Sequence, residues 1–347
     1  MVLKKIAAVV FCCCAIAPAF AQTKQLVQVI PSEVYDRIKV SIGGKPFTTF
    51  LYPDTLEKPV LYPIIAANGT TVTRGFPIAT RAGDPTDHPH HIGLWFDFEN
   101  VNGLDFWNNS YAIPKEKKSG YGWIKTDKIL EVSSGEQGTL SYHANWTNQA
   151  NKVLLEEVTH YIFSGNEHQR IIDRITTLTA DTTVLFKDAK DGMLGLRLAH
   201  ELQIPSKEDQ QYTDVHGNIT LVKGGKDTIA NGNYLTSEGK TGDSAWSTRA
   251  RWCKVYGKMG NDSVCITIID HPKNVNYPTF WHARGYGLFA ANPLGENIFT
   301  NGKSAKNLQL QKGESVTFRY RIVVQDGNAT LSPQAIDALA TDFAKIE

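Results

Sequence analysis

Apolar and polar residues alternate through most of this chain, in short runs punctuated by Gly, Asn, Asp and Pro, and that period of two predicts strands. "VYDRIKVSIGGKPFTTFLY" reads as a hairpin turning at Gly43-Gly44. From Gly122 to Arg197 the segments "WIKTDKILEV", "GTLSYHANWT", "KVLLEEVTHYIF", "QRIIDRITTLT" and "MLGLRLAHELQI" follow one another, separated by turn clusters such as "SSGEQG" and "SGNEHQ". Strands this regular predict an antiparallel meander folded into a sandwich. "RARWCKVYG", "VCITIID" and "SVTFRYRIVV" add further strands. A period of 3.6 emerges only at the end. There Ser332 is placed to cap, Pro333 to open a first turn, and Ile336, Leu339, Ala340, Phe343 and Ile346 to share one face of a helix over 332–347. The expected architecture is all-β, one large antiparallel β-sandwich with a C-terminal helix. No linker rich in Pro, Ser or Gly divides residues 22–347, so a single domain is expected.

The first 21 residues change the picture of where this domain works. Lys4 and Lys5 precede an apolar core from Ile6 to Ile16, and Ala19-Phe20-Ala21 supplies a small-x-small cleavage site. That is the pattern of a secretory signal, too short to span a bilayer, so export to the periplasm or medium is expected. Cleavage removes two of the 36 basic side chains and none of the 35 acidic ones, leaving a net charge of about −1. Near-neutrality without a basic run argues against nucleic acid or an anionic membrane as partner. Of five cysteines only Cys253 and Cys265 outlast cleavage. They flank Met259 symmetrically, and an odd-length hairpin loop would set them opposite each other as a disulfide, with two buried thiols as the alternative.

Candidate chemistry concentrates in two stretches. "DHPHHIGLWF" (87–96) and "DHPKNVNYPTFWHARGYGLF" (270–289) together hold His88, His90, His91, His271 and His282, half of the ten histidines. Residues 79–91 are rich in Gly, Pro and Asp and read as a loop feeding a strand from Ile92. In an extended chain His90 and His91 face opposite ways, whereas His88 and His90 form an H-x-H pair of the kind metals use. The second stretch reads as a long loop in which Tyr277 and Trp281 are suited to stack on a sugar ring while His282, Arg284 and Asn292 hydrogen-bond its hydroxyls. A third stretch, "LFKDAKDGMLGLRLAHELQIP", offers Lys190, Asp191 and Arg197. A phosphate-cradling glycine loop, a dinucleotide fingerprint and a nucleophile elbow are all missing, which argues against an organic cofactor.

With "DHPHHIGLWF", "VNGLDFW", "KDGMLGLRLA", "RARWC", "DHPKNVNYPTFWHARGYGLFAANPLG" and "KGESVTFRYRIVV" in view, roughly residues 70 to 327 resemble the exported bacterial proteins called methane oxygenase PmoA-like. The resemblance implies a β-rich fold of the galactose-mutarotase-like supersandwich type and an association with carbohydrate degradation. It carries over no catalytic residue. The oxygenase of that name is a membrane protein, and this chain has no apolar run of spanning length.

Three functions follow as expectations. The first is an exported, cofactor-free carbohydrate enzyme (epimerase, lyase or hydrolase) working in a cleft formed by loops 79–93, 187–192 and 270–292. His91 and His282 would transfer protons with Asp191 as partner carboxylate. Arg81, His90, Trp95, Lys190, Arg197, Tyr277, Trp281, Arg284 and Asn292 would bind the sugar or another small polar ligand. The second is an enzyme using a divalent transition metal on His88, His90 and His282. The third is a glycan-binding protein without turnover.

Overall fold

A computed structural model describes residues 25–213, 219–327 and 330–346; the expected leader, residues 1–21, lies outside them. Two eight-stranded antiparallel sheets face each other. The first runs, in spatial order, Val27–Pro31, Arg37–Ile42, Lys45–Leu51, Val60–Leu61, Leu94–Phe98, Gly192–Arg197, Leu288–Asn292, Phe280–Ala283. The second runs Asn233–Thr236, Trp252–Met259, Asp262–Asp270, Ser315–Asp326, Gln169–Ala180, Val153–Gly165, Gly138–Asn148, Gly122–Ser133. The Gly43-Gly44 hairpin forms with both glycines at positive φ, as a two-residue turn between right-twisted strands requires. The last four strands of the second sheet are the expected meander.

Its fifth expected member departs. Gly192–Arg197 crosses into the first sheet, between Leu94–Phe98 and Leu288–Asn292. All six of its residues are buried, so it behaves as a central strand covered on both faces rather than as one more meander strand with a wet side. The stretch 270–292 is likewise not one long loop. It contains the paired strands Phe280–Ala283 and Leu288–Asn292, closed by a turn over Arg284–Gly287.

Alternate residues of both sheets interdigitate in one core. Leu94, Phe96, Leu194, Leu196, Trp281 and Phe289 enter it from the first sheet, and Cys253, Ile266, Phe318 and Ile322 from the second. The terminal helix, Pro333–Phe343, covers the far side of the second sheet. Ser332 Oγ accepts from Ala335 N, and Ile336 and Phe343 pack on Trp252, Ile269 and Val323.

The disulfide expectation is corrected. A two-residue turn joins Met259 to Asp262, so Cys253 pairs with Ile268 and Cys265 with Tyr256. That three-residue offset puts the thiols on opposite faces of the sheet, and both are free and buried.

Candidate active site

The outer face of the first sheet carries the chemistry. Because strand side chains alternate, the partners of the core residues point away from the second sheet. Trp95, Gly195, Ala290 and His282 lie in one cross-strand row on that face. Three strand spacings separate its ends, about 14 Å. Gly195 is required there, since a Cβ would sit 2.4 Å from Trp95 Cζ2 and 2.8 Å from Trp107 Cη2. Gly195→Ala is expected to cost about 1–3 kcal/mol through that overlap, read as a lower urea midpoint with altered near-ultraviolet dichroism from the displaced indoles.

Over this row the histidine loop is bolted down by one arginine. Buried Arg74 donates to the carbonyls of Pro85, Asp87, His88 and His91 and to Asp87 Oδ1. His88 adopts φ 47°, and His91 N donates to its carbonyl, 3.0 Å. The turn therefore brings the rings of His88 and His91 parallel, with centroids 4.8 Å apart, and His90 meets both edge-on, 5.6 Å from His88 and 4.3 Å from His91, where an extended chain would turn His91 away. Tyr286, from the Arg284–Gly287 turn, stacks on His88 with centroids 5.0 Å apart, and His91 stacks on Trp95 at 5.1 Å. The two histidine-bearing stretches thus meet through the stacked rings of His88 and Tyr286.

Asp87 closes the arrangement. Burial alone would raise its carboxyl, but Arg197 (2.6 Å), His88 (2.5 Å) and Arg74 (3.1 Å) hold it well below the usual range. Beneath the rings Lys58 Nζ lies 2.5 Å from Asp97 Oδ2 and donates to the Trp107 carbonyl. Burial pushes Asp97 up to about 7 even with Lys58 opposing it. The Trp95 indole N–H lies toward Asp97 and also opposes the rise, while the Trp107 indole N–H has no partner among the described residues.

At the rim, three carboxylates crowd together. Asp191 N donates to Glu99 Oε2 (3.0 Å), and Lys190 Nζ is 3.4 Å from Asp191 Oδ2. Burial raises Asp191, against the pull of Lys190. It raises Glu99 with the help of Asp191's charge, and it raises Asp105, whose own charge adds to both. His282 Nδ1 lies 3.3 Å from Asp191 Oδ1 without hydrogen-bond alignment. Burial, with the charges of Lys190 and Arg284, lowers His282 to about 3. His90 falls to about 2 through burial and Lys58, and burial takes His91 well below its usual value. All three rings are neutral at pH 7. Asp191 is 8% exposed against 1% for His91 and 2% for His282, and Glu99 and Asp105 are more open than Asp191, so solvent reaches the carboxyls before these two histidines.

A family model matches residues 37–341. The chain belongs to DUF6807, a family of unknown function. The DUF6807 span takes in every site residue named above. A 64-residue stretch, 18% of this chain, is 33% identical to part of an uncharacterized protein of Mycoplasma genitalium, spanning 24% of that protein. Three solved structures align over most of the chain at 10% identity. They are the Slr1438 protein of Synechocystis (TM-score 0.34, 90% of this chain, 99% of that one), a galactose mutarotase-like protein of Clostridium acetobutylicum (0.39, 87%, 99%), and the GH36 alpha-galactosidase AgaB of Geobacillus stearothermophilus (0.38, 86%, 41%). At these TM-scores the likeness carries no argument about chemistry.

The other expected ligand contacts are redistributed. Trp281 is fully buried in the inter-sheet core and donates to Ala250 O, so it offers no ring face to a sugar. Tyr277 stands among Asp270, Arg251 and Asp337, toward the terminal helix. Arg197 is fully buried and ties Asp87 to His91 Nδ1, and Arg81 is held by Thr73 O and Asp84. Asn292 donates to Ala189 O and Lys190 O, fixing the rim loop rather than a ligand. Trp95 is fully buried under His91, and His90 is half-buried against His88 and His91. Arg284 opens into a neighbouring cavity. Among the described residues no group of three or more His, Cys, Asp or Glu side chains is arranged to hold a metal, so His88, His90 and His282 do not converge as the metal alternative requires.

Sequence reading missed Lys58, Arg74, Asp87, Asp97, Glu99 and Asp105. A signal existed for Asp97: an acid between aromatics in "LWFDF" must be either a solvated strand face or a buried paired charge.

Proposed function

We propose that the protein is an exported carbohydrate-processing enzyme acting by acid–base chemistry on a sugar or oligosaccharide, without an organic cofactor. The observation that carries this reading is the cluster of Asp191, Glu99 and Asp105, three carboxyls all raised by burial, with the charge of Asp105 adding to the other two and that of Asp191 to Glu99. Crowded carboxyls retain a proton at higher pH than isolated ones, which suits one of them to donate it and a neighbour to accept it. Asp191 is the group assigned to proton transfer. Lys190 and His282 flank it, and the exposed ring edges of His88 and Tyr286 offer an apolar wall for a sugar. The Lys58–Asp97 pair beneath holds the floor. Export rests on the Lys4–Ala21 leader pattern.

Proton NMR of mono- and oligosaccharides incubated with the protein in D2O tests this directly. Bond cleavage, epimerisation and exchange of carbon-bound hydrogen each leave a distinct trace. The expected result is one of these signatures, time-dependent and proportional to protein. A panel that shows line broadening but no product and no exchange would sink the enzyme reading and leave a glycan-binding protein.

A further inference from the structure

A cavity of about 720 Å³ is walled by Gln203, Asp243, Trp246, Arg284 and Tyr286 and bounded by Ile204 to Glu208 and Gln210. Tyr286 joins it to the histidine loop. One face stacks on His88, and its ring lies 5.9 Å from the Arg284 guanidinium. On the other side Arg284 stands 5.5 Å from the Trp246 ring. It is therefore held between two aromatic faces and forms no ion pair among the described residues. Arg284 is itself exposed, so its guanidinium is the donor that reaches the cavity.

The lining's formal charges cancel, Lys207 and Arg284 against Glu208 and Asp243, so long-range attraction does not select the ligand. Local donor geometry does. A planar guanidinium flanked by two rings matches a carboxylate, and the indole and phenol rings match the apolar face of the pyranose that carries it. We infer that this cavity is a subsite for a uronic-acid unit, whose carboxylate is taken by Arg284 and whose ring lies against Trp246 or Tyr286. The inference rests on the carbohydrate reading above. Because Tyr286 walls this cavity and stacks on His88, a chain of sugars with its acidic unit here would run on over the histidine loop toward Asp191.

Calorimetric titration of the full chain with methyl glucuronide, methyl glucoside and methyl glucoside 6-sulfate tests it, with Asp191→Asn as host so that nothing turns over. The glucuronide is expected to bind at least tenfold tighter than the glucoside. Arg284→Met is expected to erase that preference, a loss of about 10- to 100-fold. Trp246→Leu, which removes one of the two rings flanking Arg284, should weaken the glucuronide several-fold. Equal affinity for glucuronide and glucoside, or a preference untouched by Arg284→Met, overturns the subsite. Tighter binding of the sulfate ester than of the glucuronide also overturns it, in favour of a sulfated sugar. Selective glucuronide binding by a protein that turns over no glycan would leave the subsite standing and remove only the enzymatic reading.

Discussion

Asp191→Asn is expected to lower sugar turnover by about 10²- to 10⁴-fold, the range a positioned acid or base contributes, with the fold intact. The fold should survive because Asp191 holds its loop through the backbone: its N–H donates to Glu99 Oε2 and its carbonyl accepts from Glu99 N. Its side chain makes only the contacts to Lys190 and His282. The pH profile separates its roles. Burial raises the folded pKa, so a carboxyl acting as acid loses activity as pH climbs through that raised value. One acting as base loses activity as pH falls through it. Either limb should vanish in the variant. Lys190→Met should push the same limb further upward, because the cation now opposing burial is gone. Turnover that survives Asp191→Asn within a few-fold would move the chemistry to Glu99 or Asp105.

Much of the frame was legible in the sequence because strand alternation is a direct record of which face is wet. The Gly43-Gly44 hairpin, the meander and the Ser332-capped helix follow from local rules that tertiary contacts did not override. The placement of Gly192–Arg197 was not legible, since a strand buried on both faces has lost its alternation and with it any mark of which sheet it joins. Parity decides the site in the same way. Trp281 and His282 are neighbours, so only one can face outward from the first sheet, and a histidine beside Asp191 forces the tryptophan into the core. The turn that stacks His88 on His91 depends on Arg74 gripping four carbonyls from outside the loop, information that no window around the histidines contains. Asp97 was missed for a related reason. Its partner Lys58 is 39 residues away, so the buried pair has no local spacing to betray it.

The second large effect is on stability, and it isolates the neutral burial of His282. Its folded pKa, about 3, lies below the ordinary histidine value of 6.5. The unfolded chain therefore binds a proton that the folded one refuses once pH drops below 6.5. The ring's contribution is fully present above 6.5 and is lost progressively as pH falls toward 3. Whole-protein stability does not expose this, because Asp97 and Asp270, both raised to about 7 by burial, act in the opposite direction between roughly 3.8 and 7. The difference between wild type and His282→Gln does, since those carboxyls are common to both. That difference, from urea unfolding, is expected to shift by about 2–3 kcal/mol in favour of the variant between pH 7.5 and pH 4.5. Repeating the pair in an Asp191→Asn background removes the one carboxylate 3.3 Å from the ring and should leave the shift in place. A difference that stays constant across that interval would mean His282 takes up its proton in the folded state, with Asp191 as its counter-ion. Its assignment as a neutral neighbour of the catalytic carboxyl would then be wrong.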